Sequence, residues 1–248
     1  MHEKPFELIE KRLRELAGRD GRYRYAGFFS EQELALFESL RRREGWDASS
    51  FGGYPDAERR MVRFGSEEAL GYEEPWPIAC VLVTPAAGRF SEQLEHRHVL
   101  GALMSLGIGR HVLGDLKFRD NRCYVFCRQE MAQTLCGLIS VAHTPVRVTV
   151  LEEDAELPRT EYVRERVNVA SLRIDTLAAH LCNLSRTRIT EAIAAQQVLL
   201  AGEICLDPSR CVKEGDTFSV RGYGKWRLIG VSGVSKKGRL YAEADRFR

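Results

Sequence analysis

The residues with the clearest chemical potential are three arginines near the end of the chain. Arg173 opens one predicted helix, and Arg186 and Arg188 lie in the first turn of the next. Cations at a helix N-terminus oppose the helix dipole, so their position indicates a purpose other than helix stability. With the free backbone N–H groups of a helix start, they predict a site for an anion such as phosphate. The alternative is ion pairing within the chain, with Glu191 or Asp175.

Two short helices must position these arginines. Leu177 and Leu181 follow helical spacing and predict an apolar stripe on the first helix. Asp175 is expected to cap the N-terminus of that helix rather than to act in catalysis. Ser185 is expected to cap the second helix, whose inward side includes Ile189. Replacing the arginines of the second helix with alanine should therefore weaken anion binding and leave the melting temperature near wild type.

Basic turns between short strands follow the two helices. Thr217 to Val220 and Trp226 to Val231 alternate as strands do, and glycines at 222 and 224 permit a tight turn between them. If the helices and the turns share one side, that surface would contact about 6–10 phosphates, and its binding would weaken steeply with salt. The predicted RNA-binding residues are Arg173, Ser185, Arg186, Thr187, Arg188, Arg221, Lys225, Lys236 and Lys237.

The charge of the chain is unevenly distributed. Residues 165–248 hold 14 lysines and arginines against 9 acidic residues, a net of +5, whereas residues 1–164 hold 23 against 26, a net of −3. A basic C-terminal part favours a polyanionic partner. No apolar run approaches the roughly 20 residues that span a bilayer, and the N-terminus lacks the features of a secretory signal. We therefore expect a cytoplasmic protein with no membrane partner.

The cysteines do not predict a metal site. The seven cysteines are scattered, and the pair at 123 and 127 lies four residues apart in an apolar, strand-like run. No CxxC pair or Cys/His quartet accompanies them, so we expect reduced thiols that pack as small apolar groups. His96 and His98 lie two apart on a predicted helix, on different faces, and make a poor metal pair. We predict no metal, no cofactor and no catalytic residue.

The pattern of elements predicts an α+β protein. Strand, helix, two strands, helix and strand follow one another between residues 78 and 151, with the helices predicted at 91–106 and 130–139. This is the ferredoxin-like, or RRM-like, βαββαβ order. Tyr124 and Phe126 share a face of its third strand, where they would either stack RNA bases or belong to the core. The predicted parts are a small N-terminal helical region at 1–74, the ferredoxin-like domain at 75–151, an acidic linker at 152–164 and a C-terminal RNA-binding domain at 165–248. In the first part, Ser30 and Glu33 are expected to form a capping box at the start of the second helix, and the glycines at 52 and 53 are expected to serve positive-φ geometry.

Motifs in the C-terminal part carry a resemblance to a known family. The segment from Leu172 to Trp226 resembles the S-four domain, a module of two helices and a small antiparallel sheet named after ribosomal protein S-four. The matching pieces are RID at 173–175, LSR at 184–186, VLLAG at 198–202, EGD at 214–216, SVRG at 219–222 and YGKW at 223–226. GGYPDAER at 52–59, HRHVLGALMSLGI at 96–108 and the KKGR tail resemble the YlmH family of S-four-domain proteins, so the likeness covers nearly the whole chain.

The resemblance implies a non-catalytic protein that binds structured rRNA or tRNA. It also implies association with the large ribosomal subunit, in ribosome-associated quality control or another ribosomal function, with no small-molecule substrate. Arg173, Arg186 and Arg188 match the family's RNA contacts. This chain departs from the family at Lys225, where arginine is usual, at Gln196, where glycine is common, and at the alanine at 201, where asparagine is common. A left-handed Gln196 would cost roughly 1 kcal/mol.

Two other interpretations remain open. S-four domains also occur in RNA-modifying enzymes, so the chain could be an accessory or degenerate RNA-modification protein similar to a pseudouridine synthase. Against this, such enzymes have a catalytic domain of roughly 200 residues, and no set of nucleophile, base and orienting group is recognisable. Alternatively, the N-terminal 70 residues could dock a protein, although Arg41, Arg42 and Arg43 could equally contact rRNA.

Overall fold

A computed structural model describes residues 5–18, 21–86, 92–152, 155–158 and 160–247. The chain forms two compact units, Met1–Arg159 and Thr160–Arg248. Both units combine helices with antiparallel sheets, so the predicted α+β class is confirmed. Among the described residues, no helix has both the length and the apolar character that a membrane span requires.

The first part of unit 1 contains helices and a sheet. The capping-box residues predicted for the second helix are in place, because the Glu33 side chain accepts from the backbone N–H of Ser30. That helix ends at Gly45, which has a left-handed φ of 67°. The elements are α1 Pro5–Ala17, β1 Arg24–Phe29, α2 Glu31–Glu44, β2 Ala48–Phe51, β3 Arg60–Phe64 and α3 Glu67–Leu70.

The three-stranded sheet is absent from the sequence prediction, which describes this region as helical. Its order is β1–β3–β2, and both pairings are antiparallel. The strands are four to six residues long, and β1 is interrupted by an irregularity between Ala26 and Phe28. Segments this short give little alternation of apolar and polar residues, whereas the apolar stripe of each helix repeats over three turns. The sheet and helices enclose a core that includes Leu13, Phe37 and Phe64.

The second part of unit 1 follows the predicted βαββαβ order. A five-stranded sheet with the order β5–β6–β4–β8–β7 has antiparallel neighbours throughout. One face packs on α4 and α5 through a core that includes Val81, Val83, Val99 and Val125. The elements are β4 Ile78–Pro85, α4 His96–Ser105, β5 Leu113–Arg119, β6 Arg122–Arg128, α5 Ala132–Leu135, β7 Ser140–Val141 and β8 Thr144–Val150.

The helices of this part are shorter than predicted. The predicted start of the first helix, Ser91, lies outside the described residues, and the described helix begins at His96. The segment from Glu130 to Ile139, predicted as one helix, contains a short 3-10 turn and then α5. Its chain turns at Gly137, whose N–H donates to the carbonyl of Thr134. The strand β7 then adds an edge to the sheet.

Unit 2 is a six-stranded antiparallel sheet with two helices, in the order β11–β10–β12–β13–β14–β9. Its core contains the fully buried Trp226, which stacks on Phe218 with ring centroids 5.8 Å apart. The elements are β9 Tyr162–Val169, α6 Ile174–Leu181, α7 Arg186–Ala194, β10 Val198–Leu200, β11 Glu203–Ile204, β12 Thr217–Val220, β13 Gly224–Val234 and β14 Leu240–Phe247. Residues 162–164, which the sequence analysis includes in the linker, form the start of β9 and pair with β14.

Candidate nucleic-acid interface

A tight turn between α6 and α7 brings their N-terminal arginines together. Asn183 has a left-handed φ of 54°, and the N–H of Leu184 donates to the carbonyl of Ala179 at 2.8 Å. This is the Schellman arrangement, which ends a helix and reverses the chain. Arg173, immediately before α6, and Arg186, the first residue of α7, consequently reach the same carboxylate.

That carboxylate is Asp175, whose exposed fraction is 3%. Arg173 donates from Nε to Oδ1 at 3.2 Å and from Nη2 to Oδ2 at 3.0 Å. Arg186 donates from Nη2 to Oδ2, and the Thr176 hydroxyl donates to Oδ1 at 3.1 Å. Burial alone raises the pKa of Asp175, but the hydrogen bonds from Arg186, Arg173 and Thr176 outweigh burial and hold this pKa below its ordinary value.

The expectation that Asp175 caps α6 is therefore wrong. Backbone carbonyls already satisfy the first N–H groups of this helix: Ile174 donates to Arg210, and Asp175 donates to Pro208. The carboxylate is left to accept from side chains instead. The alternative of internal ion pairing thus holds for Arg173 and Arg186. For Arg186 we now expect replacement by alanine to lower the melting temperature, because it leaves a buried carboxylate with fewer donors.

An open cleft of about 470 Å³ lies over this ion-paired cluster. Its walls come from the end of β9, from α6, from the start of α7 and from the turn between β13 and β14. Three of the described lining residues are arginines and none is acidic. The lining residues with basic side chains are Arg173, Arg186, Arg239 and His180.

Arg239 and His180 form a contact that the sequence analysis does not predict. Arg239 donates from Nη2 to the carbonyl of Asn168 at 2.7 Å and lies 3.3 Å from Nε2 of His180. Because arginine can only donate, Nε2 must accept, and the ring proton is on Nδ1, which lies 2.9 Å from the carbonyl of Thr176. The four-residue spacing of Thr176 and His180 on α6 is the sequence signal that could have indicated their shared face.

The first turn of α7 extends the basic surface beside the cleft. Ser185 caps the helix as predicted, because its hydroxyl accepts from the N–H of Arg188 at 3.2 Å. Arg188 is 3.5 Å from Glu191, and its side chain is 73% exposed, so this pairing is weak. Thr187 is exposed on the same turn. Lys236 and Lys237 are exposed on the turn that also carries Arg239.

Arg221 and Lys225 lie elsewhere. Both belong to the β12–β13 turn region, at the start of β13, whereas Lys236 and Lys237 follow its end. Since β13 has 11 residues, these two groups are separated by roughly 30 Å along the strand. The ammonium of Lys225 lies 5.2 Å from the ring centroid of Phe247. The helices and this turn therefore do not share one continuous surface, and an RNA contact by Arg221 or Lys225 stays a prediction.

In unit 1, the segment 52–59 covers part of the sheet face that α4 and α5 leave uncovered. Asp115 accepts from the hydroxyl of Tyr54 at 2.7 Å and from the backbone N–H groups of Glu58 and Arg59 at 2.7 and 3.0 Å. Gly53 has a φ of 96°, and a Cβ there would lie 2.6 Å from the Phe126 ring. The predicted role of these glycines in positive-φ geometry is thus confirmed at Gly53.

Phe126 is a core residue, so of the two alternatives left open for it the core position holds and base stacking is excluded. Its exposed fraction is 1%, and the ring of Tyr54 covers it with centroids 4.8 Å apart. Tyr124, two residues earlier on β6, is half-buried. The sequence could not distinguish the two aromatics, because the segment that covers Phe126 lies far from it along the chain.

Comparisons with known proteins agree with the motifs. Residues 82–154 match the family model described as "Putative RNA-binding domain in YlmH". The chain is 25% identical over 227 residues to the ribosome-associated protein quality control protein P2 of Bacillus subtilis (strain 168), an alignment that covers 91% of this chain and 88% of that protein. The cell division protein ylmH from Streptococcus pneumoniae has a similar fold, with a TM-score of 0.50 and 15% identity over 61% of this chain and 94% of that one. The predicted resemblance to the YlmH family is confirmed.

Proposed function

We propose, with this resemblance as the premise, that the protein binds structured RNA of the ribosome without catalysing a reaction. Its partner would be rRNA or tRNA on the large ribosomal subunit, and its role would be ribosome-associated quality control in the cytoplasm. The proposed role in quality control is supported by the Bacillus subtilis relative, which is named a ribosome-associated protein quality control protein. The cleft of unit 2 supports the mode of binding.

The observation that carries the proposal is the set of three guanidinium groups in the cleft. A guanidinium has five N–H donors in a fixed plane, so Arg173 and Arg186 can hold Asp175 with some of their donors and a phosphate with others. The buried carboxylate holds both side chains in place before any ligand arrives. This pre-organisation lowers the entropy that is lost when an RNA phosphate binds.

The electrostatics of the cleft also favour an anion. Two arginines share the single negative charge of Asp175, and Arg239 adds a further positive charge opposite them. Arg188 and the lysines at 236 and 237 extend the positive charge over the exposed surface beside the cleft. A run of cations with this spread suits the backbone of a folded RNA better than one small anion.

The geometry of Asp175 argues against the RNA-modification alternative. This residue is the one carboxylate that the sequence analysis considers for catalysis. Both of its oxygens accept hydrogen bonds from Arg173, Arg186 or Thr176, and it is almost fully buried. A nucleophile or general base must instead reach its substrate. We therefore assign Asp175 a structural role.

The experiment measures binding of the full-length protein to purified large ribosomal subunits and to tRNA over a range of salt concentrations. The test variant is Arg188→Ala with Lys236→Ala and Lys237→Ala, because these three side chains are exposed and do not hold Asp175. We expect weaker binding, a salt slope reduced by up to about 3 and an unchanged melting temperature.

Two further variants make the result specific. Arg186→Ala should weaken binding and also lower stability, since it removes a donor to Asp175. Arg221→Ala, roughly 30 Å away along β13, tests whether a cation outside the cleft contributes. Wild-type affinity in both the triple variant and Arg186→Ala would reject the cleft as the RNA site.

A further inference from the structure

We propose that the outer face of the sheet in unit 1 is a second RNA site, which takes a single-stranded segment across Arg119, Arg122 and Arg147 with one base on Tyr124. This inference rests on the proposed RNA-binding function and on the match of residues 82–154 to a model described as an RNA-binding domain; what it adds is the surface and the ligand class, both separate from the cleft of unit 2. The outer face is the face of the five-stranded sheet opposite α4 and α5.

The alternation of side chains along β6 places the residues on this face. Cys123 and Val125 are fully buried in the core under the helices. Because successive side chains of a strand point to opposite faces, Arg122 and Tyr124 project from the outer face. The same alternation puts Arg147 of β8 on the outer face, since Val146 and Val148 belong to the core.

The strand register aligns the three arginines in one row. Arg119 of β5 is directly opposite Arg122 of β6, and Thr84 of β4 is directly opposite Arg147 of β8. Val83 pairs with Cys123, so Thr84 is the β4 residue next to the level of Arg122. With neighbouring strands ~4.8 Å apart, the row from Arg119 to Arg147 spans about 14 Å.

The charge of this row favours a polyanion. Arg119, Arg122 and Arg147 are all exposed. Arg119 lies 3.7 Å from Asp120, but both side chains are more than half exposed, so solvent screens the pair. Thr84, with its hydroxyl, lies between the arginines of β6 and β8 in the row. Three cations on one row of a sheet match the spacing of an extended nucleic-acid backbone rather than a compact ligand.

Tyr124 supplies the feature that distinguishes RNA from other polyanions. Its register partners on the outer face are Leu82 of β4 and Lys117 of β5, in the row next to the arginines. An aromatic ring beside cations on an open sheet is the arrangement on which single-stranded bases stack. Phosphopeptides and acidic lipids would use the arginines but gain little from the ring.

The neighbouring contacts set the limits of the site. Lys117 donates to the carbonyl of Pro158 at 3.0 Å, and its ammonium lies 4.3 Å from the centroid of Tyr54. Tyr54 in turn covers Phe126. The sheet face beyond Tyr124 is therefore occupied by this protein's own chain, which leaves the arginine row and the half-buried ring of Tyr124 for a ligand.

The test uses the full-length protein and a fluorescein-labelled, single-stranded ten-nucleotide oligouridine, with anisotropy as the readout. The variant Arg119→Ala with Arg122→Ala and Arg147→Ala should bind at least tenfold more weakly. Its slope of log affinity against log salt should fall by about 2, since each lost phosphate contact to a single strand contributes about 0.7. Arg97→Ala is the matched control, because that side chain is 76% exposed on the helical side of the same sheet.

The base contact is tested separately at Tyr124. Tyr124→Leu keeps an apolar side chain but removes the ring, and it should weaken binding about 5- to 100-fold, the range typical of a lost base–aromatic stack. Tyr124→Phe should bind as wild type does. An abasic version of the oligonucleotide should be insensitive to Tyr124→Leu.

The results separate this inference from the proposed function. If wild-type protein does not bind the oligonucleotide, or if the triple arginine variant binds it as tightly as wild type, the second site is rejected whatever the cleft variants do on ribosomes. An equal loss with Arg97→Ala would also reject it, since it would reveal general charge attraction. If Tyr124→Leu binds normally while the arginine variant does not, the surface binds the phosphate backbone without stacking a base, and the base contact at Tyr124 is rejected.

Discussion

At the scale of single residues, Asp175 determines what the arginines of unit 2 can do. Three cations placed against helix dipoles predict an anion site, and two of them already hold an anion that belongs to the protein. The side chains of Arg173 and Arg186 are nevertheless 39% and 59% exposed. They are therefore fixed on one side by the buried carboxylate and open to a ligand on the other.

Asp175→Asn should make the stability of the protein less dependent on acid pH. The pKa of Asp175 in the folded protein lies below its ordinary value of 3.8, so the ionised group stabilises the fold above about pH 4, and this contribution is lost as the pH falls through the lowered pKa. We expect the variant to be about 1–2 kcal/mol less stable at pH 7 and to approach wild type below pH 4. Urea denaturation at a series of pH values measures both. A constant difference across that range would show that the carboxylate charge is not responsible.

The thiols give a second comparison at this scale. Cys123 and Cys127 are buried between the sheet and its helices, as the sequence predicts. Burial raises the pKa of Cys127 to about 12, so at neutral pH the thiol is protonated and packs as an apolar group. Cys211, by contrast, is exposed. The spacing of the cysteines along the chain does not show which thiols are buried and which are exposed. Cys211 lies in a loop between strands of unit 2.

At the scale of elements, the ends of α6 and α7 use the same motif with different residues. Each helix ends in a Schellman arrangement, with Asn183 after α6 and Gln196 after α7 in the left-handed region. Asparagine tolerates this region better than most residues, whereas glutamine does not. Gln196 has a φ of 57°, and the N–H of Gln197 donates to the carbonyl of Ala192 at 2.9 Å. The departure from glycine noted in the sequence therefore leaves the turn intact and adds strain.

Gln196→Gly should stabilise unit 2. Glycine adopts a positive φ without steric cost, but it also raises the entropy of the unfolded chain. The free energy of unfolding should therefore rise by up to about 1 kcal/mol, which is the strain energy relieved minus this entropic cost. Thermal and urea denaturation measure the change. Gln197→Gly is the matched control: this neighbour is also exposed but has no positive φ, and its replacement should lower stability. Equal effects at the two positions would contradict the assignment of strain to Gln196.

At the scale of the whole molecule, each hydrophobic core of the described residues lies within one compact unit, with two cores in unit 1 and one in unit 2. The core around Val81, Val83 and Val125 lies in unit 1, and the core around Trp226 and Phe218 lies in unit 2. In the second, the indole N–H of Trp226 donates to Glu165 at 2.9 Å. Separate cores allow separate cooperative units of unfolding. The two proposed RNA surfaces also lie in different units, so each can be altered without disturbing the packing of the other.

Trp226→Phe should therefore destabilise one unit selectively. The change removes buried volume and the hydrogen bond to Glu165, for which a loss of about 2–3 kcal/mol is expected. Hydrogen exchange followed by mass spectrometry should show faster exchange in β12, β13 and β14 and unchanged exchange in β4, β6 and β8. Val125→Ala is the reciprocal variant and should reverse the pattern. Equal loss of protection in both units would contradict independent cores.

The fold was predictable where apolar spacing repeats over several helical turns or where capping residues mark the start of a helix. The capping-box residues Ser30 and Glu33, the cap at Ser185 and the βαββαβ order all depend on residues close together in the chain. The sheet β1–β3–β2 was not predictable, because its strands are short and β1 is irregular. The shortened α5 was missed for a similar reason, since its apolar spacing continues past the turn at Gly137.

The sequence by itself determined which residue types could bind an anion, and it placed Arg173 and Arg186 at the starts of two helices. Only the tertiary structure decided that both arginines meet at Asp175, that Arg239 and His180 join them, and that Arg221 and Lys225 lie at the other end of β13. It also decided that Tyr54 covers Phe126 and leaves Tyr124 half-buried on the outer face. The physical reason is that helix starts and caps follow from local hydrogen bonding, whereas shared contacts depend on how segments distant in sequence pack together.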